Sequence, residues 1–164
     1  MSALASSAAG RLRTALAEGP DALFALLSEL FTAVPGIRTA TFIAVAPDRS
    51  VTHRIGTSNP KHFPVGNVDP VDDSPWNRRI LSEKRPVIGD SVKDMAAFIP
   101  ETDGLVEMGY GACSCFPIVI GGETRGVVAL LGNAGCFNLP TLTEIDALLP
   151  IAALIFTFHG ISER

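Results

Sequence analysis

The sequence predicts an α+β domain with a central antiparallel sheet of five to six strands and the terminal helices on one face. Two apolar runs, Ala112–Ile120 and Arg125–Leu131, flank Gly121-Gly122, and glycine supplies the positive φ of a tight hairpin turn. Neither run alternates cleanly between apolar and polar residues, so both of its faces are apolar. This pattern predicts a hairpin near the centre of the sheet, covered by the terminal helices on one side and by the middle segment on the other.

Composition and charge restrict the class of protein. The 164 residues are 47% apolar and 18% charged, which is typical of one globular domain with a sizeable core. The net charge of −4 gives no reason to expect nucleic acid or an anionic membrane as a partner. The three cysteines are an odd number with no CxxC and no partnered His spacing, which argues against a disulfide framework or a zinc site.

Neither a leader nor a membrane-spanning segment is predicted. The first residues lack the apolar core of a signal peptide. The most apolar run, Ala147–Phe158, is too short to span a bilayer and contains Pro150. We therefore expect a reduced, cytoplasmic protein.

Helical spacing of apolar residues dominates the first part of the chain. It covers residues 3–18, and after Gly19-Pro20 a wider apolar stripe continues to about Val34. We expect residues 1–19 to form an N-terminal helix and residues 20–160 to form a single domain.

Strands and a long loop follow. Ile37–Ala46 and Val51–Gly56 predict two strands joined by a polar turn. Residues 57–73 predict a loop with three prolines, and loops of this length usually have a function. Ser74 and Pro75 suit the N-cap and the first position of a helix. A short strand and two short helices are then predicted, at residues 86–88, 92–97 and 101–108.

The last helix has a start signal of its own. Thr141 and Glu144 have the spacing of a capping box, in which each side chain satisfies a free backbone amide. The apolar periodicity continues to about Phe158. Pro150 removes one backbone hydrogen bond and predicts a kink.

Three segments and the order of elements resemble the GAF domain, a small-molecule-sensing family. The segments are SPWNRRILSEKRPVIGDS at 74–91, CSCFPIVIGGETRGVVALLGN at 113–133 and LTEIDALLPIAALI at 142–155. The resemblance extends over roughly residues 20–158. It implies a ligand site between the sheet and the middle segment, dimerisation through the terminal helices, and a sensor without an attached output domain. It identifies neither the ligand nor a cofactor.

Two GAF subfamilies can be tested residue by residue. Cyclic-nucleotide-binding members carry an Asn-Lys-Phe-Asp-Glu signature, of which only Asn133 and Asp146 match here. Ala134, Leu142 and Ala147 stand in the other three places. Bilin-binding members usually attach the chromophore at a Cys-His pair, and this sequence has no such pair. The resemblance therefore supports neither ligand.

The cysteines leave an enzymatic alternative open. Free methionine-(R)-sulfoxide reductases are GAF-domain enzymes whose catalytic Cys lies in a loop that matches Gly104–Met108, and this stretch has no Cys. Cys113 and Cys115 lie later, two residues apart on a strand, where a disulfide is geometrically poor. Buried cysteines, including Cys136, more often act as small hydrophobes. A redox enzyme with relocated cysteines stays an alternative.

A ligand pocket is expected between the sheet and the segment Asn59–Tyr110. An apolar wall with few polar groups is typical of small-molecule sites. Backbone amides at the helix start near Ser74 favour an anionic group on the ligand. We predict no catalytic residue and no metal ligand. The predicted ligand-binding residues are Trp76, Phe98, Met108, Tyr110, Ser114 and Cys115.

Three histidines are scattered through the sequence. Taken one at a time, each is more typical of a structural or exposed residue than of a ligand. They are His53, His62 and His159.

A small-molecule-binding sensory protein, not an enzyme, is the function that the sequence favours. We expect a homodimer, because the terminal helices carry more apolar surface than one sheet face can cover. Leu23, Leu154 and Phe158 are the expected surplus. A structural or interaction domain whose pocket is filled by its own side chains is a further alternative.

Overall fold

The fold consists of one sheet and six α-helices within residues 2–162, which the computed structural model describes. A π-helical turn, Arg78–Ser82, continues directly from α3. The strands are β1 (Ile37–Val45), β2 (Val51–Thr57), β3 (Val68–Pro70), β4 (Ala112–Ile120) and β5 (Glu123–Gly132). The helices are α1 (Ala3–Glu18), α2 (Pro20–Thr32), α3 (Pro75–Asn77), α4 (Val92–Ala96), α5 (Thr102–Glu107) and α6 (Leu139–Ser162).

The sheet is antiparallel throughout and has the order β3-β2-β1-β5-β4. Gly121 and Gly122, with φ of 62° and 82°, turn the β4–β5 hairpin as predicted. The central position predicted for both strands is wrong for β4, which is the edge strand, whereas β5 lies inside the sheet.

The outer edge of β4 is nevertheless covered. Val87 and Cys115 exchange backbone hydrogen bonds of 2.9 and 2.8 Å, and the Cys113 amide donates to the Gly89 carbonyl at 2.8 Å. The predicted strand at residues 86–88 is therefore reduced to a single bridge. Two-sided apolarity identified a strand buried on both faces, but it carries no information about the order of strands.

Two apolar clusters separate the two sides of the sheet, which confirms the predicted layers. The helical face packs against α2 and α6, and α1 packs on these two helices. The loop face packs against the short helices and connections between β2 and β4. We define the loop-face cluster by its buried residues: Phe63, Ile80, Leu81, Val87, Met95, Ile99, Leu105, Tyr110, Cys113, Cys115, Val127, Ala129 and Leu131.

The long loop is less irregular than predicted. Its residues Val68–Pro70 form β3, an exposed edge strand that pairs with β2 from Val51 to His53. A three-residue strand that contains Pro70 gives almost no sequence signal, because proline is depleted in strands.

Helix α6 begins earlier than its predicted capping box. The Asn138 carboxamide oxygen accepts from the Thr141 amide at 3.1 Å, so Asn138 caps the helix and Thr141 lies inside it. Asparagine is at least as good an N-cap as threonine, and Pro140 fits the first helical turn. The Thr141–Glu144 capping box is therefore wrong, although the helix itself is confirmed.

The same helix is long and apolar enough to cross a membrane by length and composition alone. Its window Leu139–His159 has 21 residues and a mean hydropathy of 1.6. This window is longer than the run Ala147–Phe158 noted in the sequence. In the fold, Ile145, Leu148 and Ile155 are buried in the helical-face cluster against the sheet. One face of this helix therefore belongs to the core of the domain.

Of the three residues predicted to form surplus apolar surface on the terminal helices, Leu23 does not do so. Leu23 is fully buried, so it does not contribute surplus apolar surface. Leu154 and Phe158 are only partly buried and pack at the margin of the helical-face cluster.

Candidate functional site

The loop-face cluster brings together five of the six predicted ligand-binding residues. Tyr110 and Cys115 are buried within it, whereas Trp76, Phe98 and Met108 are partly buried and pack against its rim. The rim residues come from α3 and from the segments that follow α4 and α5. The structure thus assembles an aromatic and apolar wall from segments that are distant in sequence.

Ser114 is the residue that the structure sets apart. It alternates along β4 with Cys113 and Cys115, so its side chain leaves the strand on the other side. The Ser114 hydroxyl accepts a hydrogen bond of 3.1 Å from the Gly89 amide. This bond attaches the segment that covers the edge of β4, which gives the hydroxyl a structural role.

Local sequence signals place Trp76 at the rim. The Ser74 hydroxyl caps α3 by accepting from the Asn77 amide at 3.3 Å, as predicted. The π-helical turn follows, and it ends near Lys84, which has a positive φ of 56°. Single π-helical turns often occur at functional sites, because they change the direction in which side chains project.

The Trp76 indole and two thiols lie together beneath this rim. The hydrogen-bonding influence of Cys115, together with burial, raises the pKa of Cys113 well above its ordinary value. The same influence from Cys113, and a smaller one from Trp76, lowers the pKa of Cys115, while burial opposes that shift. Both thiols are enclosed.

Tyr110 is fixed by several polar contacts at the sheet. Its hydroxyl lies 2.6 Å from the Thr39 hydroxyl, and the Asn59 carboxamide donates to it at 3.3 Å. The Arg38 guanidinium lies 4.8 Å from the centre of the ring and donates to the Gly109 carbonyl at 2.8 Å. The ring is therefore held on both its edge and its face.

Arg54 is a functional candidate that the sequence prediction missed. Its guanidinium lies 5.5 Å from the centre of the Phe63 ring, and that ring lies 6.0 Å from the ring of Tyr110. One terminal nitrogen donates to the Pro64 carbonyl at 3.1 Å, but Nε is buried without a hydrogen-bond partner. Burial lowers the pKa of Arg54, against the attraction of nearby Asp69 and Glu101.

The start of α3 already carries an anion. The Asp72 carboxylate accepts from the Ser74 amide at 3.0 Å and from the Asn77 carboxamide at 2.6 Å. The hydrogen-bonding influence of Ser74, from its hydroxyl first and then its amide, and that of Asn77 lower the pKa of Asp72. An external anion near Ser74 would compete with this carboxylate, so Arg54 is the better candidate for contact with an anion.

Two concavities of the described chain lie outside the loop-face cluster. The first, of about 340 Å³, lies between the start of α2, β2 and the end of α6. The second, of about 400 Å³, runs between α1 and α2. On the loop face, Trp76, Phe98 and Met108 fill the rim of the cluster themselves.

A single antiparallel sheet with terminal helices on one face and a loop-covered aromatic cluster on the other defines a class of two-layered α+β domain. Comparison with solved structures identifies the particular fold as that of GAF domains. The chain matches the GAF domain of an Acinetobacter phosphoenolpyruvate-protein phosphotransferase with a TM-score of 0.71 and 10% identity, covering 100% of both chains. It matches the GAF domain of a Bacillus halodurans two-component sensor histidine kinase with a TM-score of 0.69 and 15% identity, covering 88% of this chain and 97% of that chain.

A third structure of this fold is fRMsr of Staphylococcus aureus, solved in complex with its substrate. The TM-score is 0.57 and the identity 14%, with 81% of this chain and 83% of that chain covered. No family model and no curated protein matches the sequence. The comparisons thus show the fold.

Proposed function

We propose that this protein is a sensory module that binds a small anionic molecule at the loop face of the sheet. The observation that carries the proposal is Arg54, a guanidinium with a buried, unpartnered Nε at the edge of an aromatic cluster. A buried donor without a partner is costly, and a carboxylate or phosphate on a ligand would satisfy it with a charge-assisted bond. Phe63 and Tyr110 beside it supply the apolar surface that such sites need.

The elements over the loop face suit an opening motion. Helices α3, α4 and α5 have only three, five and six residues, and helices this short have little stability of their own. Their partly buried side chains, Trp76, Phe98 and Met108, could move aside at a smaller cost than fully buried core residues. We infer that a ligand enters by displacing these three side chains from the rim.

An Arg54→Gln variant tests the ligand site. The probes are molecules that co-purify with the protein, identified by native mass spectrometry, and a panel of small carboxylates and phosphate esters. We expect Arg54→Gln to bind the identified anion roughly tenfold to hundredfold more weakly, because a charge-assisted hydrogen bond contributes about 1.5–3 kcal/mol. Isothermal titration calorimetry measures this difference.

Arg13→Gln is the matched control. Arg13 lies exposed on α1, so the control makes the same change of charge away from the loop face. Equal binding by wild type and control, with loss in Arg54→Gln, supports the site. A ligand without a negative charge, or unchanged affinity in Arg54→Gln, contradicts it.

A redox enzyme is the second candidate. Two observations favour it: the hydrogen-bonding influence that lowers the pKa of Cys115, and the shared fold with fRMsr of Staphylococcus aureus. Against it, Cys113 and Cys115 are 5% and 4% exposed, so a substrate cannot reach either sulfur without the rim opening. We therefore rank this function below ligand binding.

We also propose that two copies associate through the terminal helices. Several apolar side chains on α1 and α6 are only partly buried within one chain. Such a surface is reason to expect an interface. These side chains include Leu4, Leu12, Leu16, Leu142, Leu149, Ile151, Leu154 and Phe158.

A further inference from the structure

Two histidines that are 106 residues apart in the sequence meet where β2 approaches the end of α6. His53 Nε2 lies 2.9 Å from His159 Nε2, and the ring centres are 5.0 Å apart. The pair lies beside the concavity of about 340 Å³, which is also lined by Asp21, Phe24 and Arg54. The Nε2 atoms of both imidazoles therefore meet at the edge of this concavity.

We propose that His53 and His159 form a binding site for a divalent first-row transition-metal ion. Neutral imidazole nitrogen is the commonest protein ligand of such ions. In the metal-free pair one Nε2 donates a hydrogen bond to the other. When the metal binds, the donor imidazole takes the tautomer protonated at Nδ1, so that both Nε2 lone pairs face the ion.

The two nitrogens are close enough to bind one ion. With metal–nitrogen bonds of about 2.0–2.1 Å, two ligands at a right angle are about 2.9 Å apart, and two at a tetrahedral angle about 3.3–3.4 Å. The observed 2.9 Å is the length of the hydrogen bond between the rings, and a change of about 0.5 Å or less accommodates either arrangement. Among divalent ions of the first row, copper(II) binds a given nitrogen site most tightly.

No group of three His, Cys, Asp or Glu residues that could hold a metal occurs within residues 2–162, so the two imidazoles are the ligands that we assign. Asp21 lines the same concavity and offers a carboxylate that can bind the ion through a bridging water. The bound ion would connect β2 directly to α6, because each supplies one ligand.

The test is a titration of protein free of any histidine tag. Copper(II) binding is followed by electron paramagnetic resonance, where coupling to nitrogen identifies imidazole ligands, and nickel(II) and zinc(II) binding by calorimetry. We expect one copper(II) per chain, bound more tightly than nickel(II) or zinc(II). His53→Gln and His159→Gln should each weaken copper(II) binding by roughly tenfold or more.

His62→Gln is the control, because His62 is exposed on another part of the surface. We expect it to bind copper(II) like the wild type. Circular dichroism and metal-free melting curves establish that each variant is folded, and glutamine keeps a polar side chain at the site. Copper(II) affinity unchanged by either substitution, copper spectra without nitrogen coupling, or zinc(II) bound more tightly than copper(II) would each overturn the proposal.

Discussion

At the scale of single residues, the loop face depends on polar contacts that no local sequence pattern reveals. Tyr110 and Thr39 are separated by 71 positions, yet their hydroxyls lie 2.6 Å apart in a buried environment. A buried hydroxyl pair is stabilising only while both members are present, because either one alone is left without its partner.

We predict that Tyr110→Phe lowers the free energy of unfolding by about 1–2 kcal/mol, because Thr39 and Asn59 both lose their contact with the hydroxyl. Urea unfolding measures the change. Thr39→Val and the double variant complete a double-mutant cycle, in which the double variant should lose less than the sum of the single variants. Additive losses would mean that the two hydroxyls do not interact.

The three thiols are predicted to be dispensable and slow to react. All three are buried, and burial with nearby Asp90 raises the pKa of Cys136 to about 11. At pH 8 the native protein should therefore react with iodoacetamide much more slowly than the protein unfolded in guanidinium. We expect no reduction of free methionine sulfoxide by the wild type. Activity that is lost in Cys115→Ser would instead establish the redox enzyme.

At the scale of elements, the close approach of β5 and α6 sets the thickness of the helical layer. Gly126 lies in β5 directly beneath Phe156, and a Cβ at this position would overlap the aromatic ring. The φ of Gly126 is not in the positive region, so the backbone conformation does not require glycine. Packing against Phe156 is the reason that this position needs it.

We predict that Gly126→Ala destabilises the protein by about 1–3 kcal/mol, because the ring of Phe156 must move away from the sheet. Gly104→Ala is the matched control, since open space surrounds this helical glycine. Alanine in α5 should stabilise by up to about 1 kcal/mol. Thermal unfolding of both variants measures the contrast, and similar effects at the two sites would refute the packing argument.

The sequence predicts correctly those elements whose signals lie within a few adjacent residues. The Gly121-Gly122 hairpin and the Ser74 cap depend on a few adjacent residues, and the structure confirms both. The start of α6 was misplaced because Asn138 and Thr141 compete within one turn. Arg54 and the pair of His53 and His159 were missed as site candidates because their environments come from distant parts of the chain.

At the scale of the whole molecule, the two proposed functions, ligand binding and association, lie on opposite sides of the sheet. The helical face offers apolar surface on the terminal helices, and the loop face carries the aromatic cluster with Arg54 at its edge. A ligand that displaces the rim on the loop face would act on β4 and β5, whose opposite faces contact α6. If the ligand binds on the loop face and the second copy on the helical side, the sheet between them is the element through which binding could influence association.

The last prediction concerns association itself. We expect the wild type to sediment as a dimer at tens of micromolar, where an interface of standard size should persist. Leu154→Glu should shift the equilibrium towards monomer, because a charge would be buried within the apolar surface formed by α1 and α6. Val106→Glu is the control, since Val106 is 41% exposed in α5 on the loop face, and it should leave the dimer intact. Analytical ultracentrifugation distinguishes the outcomes: a monomeric wild type, or a dimer that both substitutions weaken equally, would exclude the terminal helices as the interface.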